Sequence, residues 1–218
     1  MGGVYPTLEQ ERALIRDGHT CIAGLDEAGR GAWAGPVAAA AVILPLGNSS
    51  LHETLRQVRD SKLCTPRQRD ALYDLIGQTA LAWAVSLVPA ASIDEIGIAA
   101  ATRQAMRAAM NQLDPAPTAL LIDYIRLDMV KLPQRSITKG DMKSLSIASA
   151  SIMAKVTRDR RMIELAQIYP GYGFARHKGY GTKEHRAALH KLGPAEIHRR
   201  SFAPVSMAAM GLHLEERQ

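Results

Sequence analysis

Between residues 24 and 31 the chain reads Gly-Leu-Asp-Glu-Ala-Gly-Arg-Gly, and no other stretch restricts its fold so strongly. The run leading into it, Cys21-Ile22-Ala23, is apolar and reads as a buried strand. Two adjacent carboxylates, Asp26 and Glu27, then halt the apolar pattern. A desolvated carboxylate needs a cation or several donors. Gly29 and Gly31 allow unusual backbone angles and let another backbone come close, and the fixed charge of Arg30 lies between them. A metal site beside a phosphate-reading loop accounts for acids, glycines and arginine together. The plainer alternative is a surface turn carrying two solvated acids.

At 218 residues, 47% of them apolar, the chain can bury a substantial core, and a single α/β domain is the economical reading. It divides into a leader over about residues 1–20, a central body, and a helical C-terminal extension over about 182–218. A net charge of +6 and a pI near 9.5 suit a polyanionic partner. With two Phe, two Trp and six Tyr, extensive base-stacking surfaces are not expected. Cys21 and Cys64 are the only cysteines and no CxxC occurs, which argues against structural zinc and for a reducing, cytoplasmic setting. Cys21 is expected to behave as a small buried apolar residue in the first strand. Residues 1–16 carry no signal-like apolar core, and no uncharged apolar run reaches about 18 residues, so no membrane span is expected.

Apolar runs at 21–26 and 37–44 read as an antiparallel hairpin, although the Ala-rich second run is a poor strand former. Thr65-Pro66-Arg67-Gln68 is a capping box opening a helix to about Ile76. A third strand is expected over 80–88. Ser92 to Glu95 offers a second capping box before a helix or helix pair from Ile96 to Leu113, with Gly97 as a breaker. Ala119 to Ile122 is a short buried strand ending on Asp123, and strand and loop follow over 127–138. A long helix from Met142 carries an Ala/Ser-rich stripe suited to close packing on a sheet, and Tyr169-Pro170 ends it. A last helix starts at Thr182 and stops before Gly193-Pro194.

Asp26, Glu27, Asp123 and Asp141 stand out by context, because they end apolar runs or follow glycine. If the two acid-ended strands lie side by side, Asp26 and Asp123 converge at one sheet edge. An oxygen-only ligand set favours Mg²⁺ or Mn²⁺ over zinc. A pair of such ions can orient a water and stabilise a leaving oxygen. Adjacent strand residues face opposite sides, so Asp26 and Glu27 can share an ion only if the strand ends or bends there, which the glycines permit, and the Glu27 backbone carbonyl is a further possible donor. Asp123 can also be read as a turn starter and Asp141 as a helix cap. Asp128 is a weaker rival to Asp123, and Asp60, Asp94 and Asp159 read as caps or solvated charges. His177 and His185 are possible ligands, though histidine more often serves as a hydrogen-bonding or exposed helix residue. Arg30, Lys62, Lys155, Arg158, Arg176 and Lys178 are candidate phosphate contacts, and His198 to Phe202 reads as a basic tail.

Gly24 to Gly31 followed by Ala34-Gly35-Pro36-Val37, Asp60-Ser61-Lys62, Ile122-Asp123, Lys139-Gly140-Asp141, Ser146 to Asp159, His177 to Thr182 and His198 to Phe202 together resemble the type 2 ribonucleases H, specifically bacterial ribonuclease HII. The resemblance spans roughly residues 20–206 with the motifs in family order. It implies a ribonuclease H-like fold, a central mixed β-sheet flanked by helices. It implies cleavage of the RNA strand of RNA–DNA hybrids and nicking 5′ of single ribonucleotides in duplex DNA, by two-metal hydrolysis leaving 5′-phosphate and 3′-hydroxyl. Asp26, Glu27, Asp123 and Asp141 fall on the family's four acidic positions, holding Mg²⁺ or Mn²⁺. Gly29, Arg30 and Gly31 fall on the loop that senses the 2′-hydroxyl, and Tyr180 on the tyrosine packed against the following sugar. Lys62 is taken as a further substrate contact. Tyr124 departs from the small residue common after the third acid. About twenty residues before the first strand leave no room for the extra substrate-binding domain of ribonuclease HIII. A monomer is expected; contact with a sliding clamp through the extreme C-terminus is left open. The alternatives are another two-metal DNA nuclease of the same fold and a non-catalytic basic nucleic-acid-binding protein.

Overall fold

The computed structural model describes residues 5–212. After α1 (Glu9–Arg16), β1 (Ile22–Ala28) and β2 (Val37–Ile43) pair as the expected antiparallel hairpin. A helical turn, α2 (Leu51–Thr54), and a 3₁₀ turn (Ser61–Leu63) lead to α3 (Pro66–Thr79) and β3 (Ala82–Val88). Helices α4 (Ala90–Ile96) and α5 (Ile98–Asn111) precede β4 (Ala119–Asp123) and β5 (Gln134–Ile137). A second 3₁₀ turn (Gly140–Met142) opens into α6 (Leu145–Ile168), followed by α7 (Phe174–His177), α8 (Lys183–Leu192) and α9 (Ala203–Ala209). The strands form one mixed sheet in the order β3-β2-β1-β4-β5, with β1–β4 and β4–β5 parallel and the other pairs antiparallel.

β1 is central, and strand alternation sorts its side chains between two helical layers. Ala23 and Leu25 face α5 with Ala39, Ala41 and Met106. Ala40 and Val42 of β2 face α6, against Ala148, Ala150 and Ile152. The poor strand-forming content of β2 is thereby explained: all seven residues are buried, and their small side chains let a helix settle close on each face. At Gly24 the helix and strand meet backbone to backbone, since a Cβ there would strike Ser146 of α6. Fully buried Ile22 and Leu25 each contribute about 1.5–3 kcal/mol.

The capping box at Thr65 and Gln68 forms, and Thr182 caps α8. Gly97 breaks the helix pair at φ +78°, but the capping box expected at Ser92 does not exist: α4 already begins at Ala90, after Pro89. Asp141 does not cap α6 either; Ser144 does, accepting the Ile147 amide at 3.2 Å. Cys21 precedes β1 and is half-buried rather than in the core, and both cysteines are free. The leader is more than a polar preface. Glu11 of α1 is fully buried, and its Oε1 accepts the Ser144 hydroxyl at 2.7 Å and the Ser146 amide at 2.9 Å. Negative charge there complements the N-terminus of the 24-residue α6. No described helix is long and apolar enough to cross a membrane. The extreme C-terminus lies outside the described residues.

Candidate active site

Parallel pairing sets Leu25 of β1 opposite Ile122 of β4, so the next residues along, Asp26 and Asp123, are neighbours at one end of the sheet. Asp26 is 5% exposed. Its Oδ1 accepts the Glu27 amide at 2.7 Å, and the Ser151 hydroxyl of α6 donates to the same carboxylate. Burial holds the Asp26 carboxyl well above the usual range, and the charges of Glu27 and Asp123 add to the effect. Asp123 Oδ1 accepts the Gly140 amide at 2.7 Å, tying the end of β4 to the 3₁₀ turn that carries Asp141. Asp141 is 5% exposed, and burial, with Asp60 and Asp123 nearby, lifts it to about 6.

β1 does not stop at the acids; it stays paired through Ala28, opposite Ala38. Asp26 and Glu27 therefore alternate, and Glu27 turns toward Arg30, whose Nη1 lies 3.3 Å from Oε1. Burial raises the Glu27 carboxyl against the lowering effect of Arg30. Its other oxygen, Oε2, is buried with no hydrogen-bond partner. Glu27 sits far enough along the strand for its charge to reach Asp123 and Lys62. Among the described residues no three Asp, Glu, His or Cys side chains are close enough together to form a ready-made ion cage.

Lys62 faces this cluster, with Nζ 4.0 Å from Asp60 Oδ1. Burial pulls the Lys62 ammonium down, but Asp60, Asp141, Asp26 and Asp123 outweigh it and raise its pKa. Asp60 has two roles where sequence reasoning allowed one. It caps the 3₁₀ turn by accepting the Lys62 amide at 2.9 Å, and its carboxyl hydrogen-bonds Asp141. The only sequence signal for the second role is its place in the Asp60-Ser61-Lys62 motif; Ser61 bonds Ser151 Oγ at 3.1 Å beside Asp26.

Glu27, Gly29, Arg30, Gly31, Lys62, Lys155, Ser151 and Tyr180 line one cleft of about 490 Å³. The Tyr180 ring lies 5.5 Å from Lys155 Nζ and 5.3 Å from the Arg158 guanidinium. Arg158 is no phosphate contact. It is fully buried and donates to three backbone carbonyls: Pro36 at 2.8 Å, Lys178 at 3.0 Å and Ala34 at 3.2 Å. Arg176 is exposed and paired with Glu184. His177 and His185 are not ligands of the acidic site. They stack at 4.5 Å within an aromatic cluster that includes Phe174, and His185 Nε2 meets His198 Nε2 at 3.1 Å. Nor is His198 to Phe202 a solvated tail: His198 and Arg199 are buried, and Arg199 Nη1 donates to the Arg30 carbonyl at 2.8 Å.

Similarity to known proteins identifies the family and the fold. The family described as ribonuclease HII matches residues 23–205. A ribonuclease HII of Roseiflexus castenholzii is 54% identical over 205 residues, covering 94% of this chain and 92% of that one. The crystal structure of ribonuclease H2 from Pyrococcus horikoshii superposes with a TM-score of 0.74 at 27% identity, over 88% of this chain and 98% of that one. Bst-RNase HIII in complex with Mn²⁺ shares the fold at a TM-score of 0.69 and 20% identity, covering 87% of this chain and 69% of that one. The motifs, the ribonuclease H-like sheet and relatives of nearly full length converge, and the chain belongs to the ribonuclease HII family, enzymes of the ribonuclease H class of hydrolases.

Proposed function

We propose that this chain cleaves the RNA strand of RNA–DNA hybrids and nicks duplex DNA on the 5′ side of a lone ribonucleotide, leaving 5′-phosphate and 3′-hydroxyl. The observation that carries the reading is the gathering of Asp26, Glu27, Asp123 and Asp141 at one sheet end, with three of them pushed above their usual pKa. Such an excess of buried negative charge calls for a cation. The unpartnered Glu27 Oε2 and the all-oxygen donor set fit a hard divalent ion, Mg²⁺ or Mn²⁺. Asp26, Asp123 and Asp141 would hold it through their carboxylates, and Glu27 through its backbone carbonyl or, at a second ion, its side chain, two ions being the expected number with substrate bound. A bound pair supplies charge neutralisation, an oriented water and a stabilised leaving oxygen for in-line displacement.

The chain's own groups supply selection and placement. Lys62 meets a phosphate oxygen from the rim, its exposed ammonium 4.0 Å from Asp60 Oδ1. The Gly29-Arg30-Gly31 backbone reads the 2′-hydroxyl, the one group that separates RNA from DNA at a single position. Tyr180 lays its ring on the deoxyribose that follows, where an added hydroxyl would clash. Lys155 and the cleft rim follow the phosphate backbone, so binding falls steeply with salt. The protein acts as a monomer.

Three labelled duplexes test this: a continuous hybrid, a DNA duplex with one ribonucleotide, and all-DNA, each with Mg²⁺ or with chelator. Cutting of the first two only, and only with the ion, is expected. Cutting of all-DNA at a similar rate would instead support a DNA nuclease of the same fold.

A further inference from the structure

Gly29 to Ala32 forms a turn closed by the Ala32 amide donating to the Gly29 carbonyl at 3.3 Å. Its central peptide joins Arg30 to Gly31. Such a peptide has two orientations, related by a flip of about 180°, which distinguish type I from type II turns. The flipped form needs positive φ at the third residue, a conformation that glycine adopts freely and that would make the flip easy at Gly31. In the structure Gly31 lies outside the left-handed region.

One side chain holds the Arg30 carbonyl. Arg199, fully buried and distant in sequence, donates from Nη1 to that carbonyl at 2.8 Å and from Nε to the Gly35 carbonyl at 3.0 Å. Its own amide donates to the Trp33 carbonyl at 2.8 Å, so the arginine is anchored to the segment it grips. A trans peptide points its carbonyl and its N–H in opposite directions. With the carbonyl of the 30–31 peptide turned inward to a buried guanidinium, its N–H, carried by Gly31, points outward. Gly31 lines the cleft, open space surrounds the position of its missing Cβ, and its N–H has no partner among the described residues.

We infer that Arg199 is a positioning residue that locks the Arg30–Gly31 peptide in the one orientation that presents the Gly31 N–H to the ribose 2′-oxygen. This deepens the reading of the loop given above and rests on it. The arginine acts through the peptide and touches no substrate. Its Nη2 is buried without a partner, and burial lowers Arg199 to about 9. Arg199→Met fills similar space without a buried charge but leaves the Arg30 and Gly35 carbonyls without their donor, so Arg199→Lys accompanies it.

The test uses the full chain with Arg199→Met, Arg199→Lys and, as an exposed control, Arg135→Gln. Each is assayed on duplex DNA carrying one ribonucleotide or one 2′-fluoro-2′-deoxynucleotide at the same place, and the Gly31 amide is followed by NMR. For Arg199→Met we expect the preference for the ribonucleotide to fall by about tenfold, the worth of one hydrogen bond. The loss should lie in kcat, with KM nearly unchanged and the Gly31 amide signal shifted or split. Arg199→Lys should fall between it and the wild type. An unchanged preference together with an unchanged Gly31 signal overturns the inference. If Arg199→Met does not fold, Arg199→Lys and its Gly31 signal decide by the same criteria. Wild-type protein that fails to distinguish the two nucleotides would remove the 2′-hydroxyl reading. The Gly31 signal would still report, separately, whether Arg199 holds the peptide.

Discussion

Two regions beside the cleft, an acidic wall and a supporting one, handle charge in opposite ways. On the sheet side, Asp26, Glu27, Asp123 and Asp141 are crowded and incompletely compensated, and buried Glu27 Oε2 lacks any partner. On the side built by α6 and the C-terminal segment, Arg158 and Arg199 are buried too, yet their donors go mostly to backbone carbonyls of the 30–36 loop and to Lys178. On the proposed reading the first wall takes up a cation, while the second holds a shape. Buried charge alone therefore does not mark chemistry; the partners do. Carboxylates facing carboxylates leave charge uncompensated, whereas guanidiniums facing carbonyls serve as cross-links.

The largest effect expected from breaking this contrast is on the acidic wall. Asp26→Asn should reduce single-turnover cleavage by about a thousandfold or more, the scale of a lost transition-state contact, while hybrid binding stays within a few-fold. The same variant should melt higher than the wild type in chelator, because one of the mutually repelling charges is gone; a lower melting temperature would mean the cluster is already satisfied. On the other wall, Arg158→Met should destabilise the protein by about 3 kcal/mol or more in denaturant titration, since three buried carbonyls each lose their donor at about 1–3 kcal/mol apiece. A loss below about 1 kcal/mol would remove it as a cross-link.

Next in size is Tyr180→Ala. It should reduce cutting at a lone ribonucleotide by about tenfold more than on a continuous hybrid, the worth of one stacking contact. Equal losses on both would argue against junction sensing. The smallest expected effect is on pH dependence, where the walls should slope oppositely. Burial lowers His185 and His198 to about 4 from 6.5, so the unfolded chain binds more protons and their stability contribution, complete above pH 6.5, is lost as pH falls toward 4. Asp141 is raised to about 6, so without divalent ions its contribution is complete below the unfolded carboxylate value and fades as pH rises through 6. Melting curves from pH 4 to 8 should show the two effects offsetting each other over about pH 4 to 6.5 without divalent ions. Mg²⁺ should cancel the Asp141 part, so the acid-side loss, of a few degrees, should be steeper with the ion than without it.

The acidic wall was legible in the sequence because each acid breaks a local pattern: an apolar run stops at Asp26, another at Asp123, and Asp141 follows a glycine. Caps at Thr65, Ser144 and Thr182 obey short-range rules. The supporting wall was not legible. Nothing local separates Arg158 from Arg160 and Arg161 on the same helix, and only the approach of residues 34–36 shows that Arg158 points inward. His198 to Phe202 resembles a basic tail until its antiparallel bridge, Ala34 with His198, is seen. Glu11 likewise looks like a surface helix acid, yet it sits buried at the start of α6. All three are long-range partnerships, and local pattern carries no record of them.

The account depends above all on divalent ions, held by the four carboxylates, activating water against a phosphodiester. Analysis of the ends formed when a duplex with one embedded ribonucleotide is cut tests this most directly. The expected product is a nick 5′ of the ribonucleotide with 3′-hydroxyl and 5′-phosphate ends, formed only with Mg²⁺ or Mn²⁺. Ends bearing a 2′,3′-cyclic phosphate, formed equally well in chelator, would contradict it.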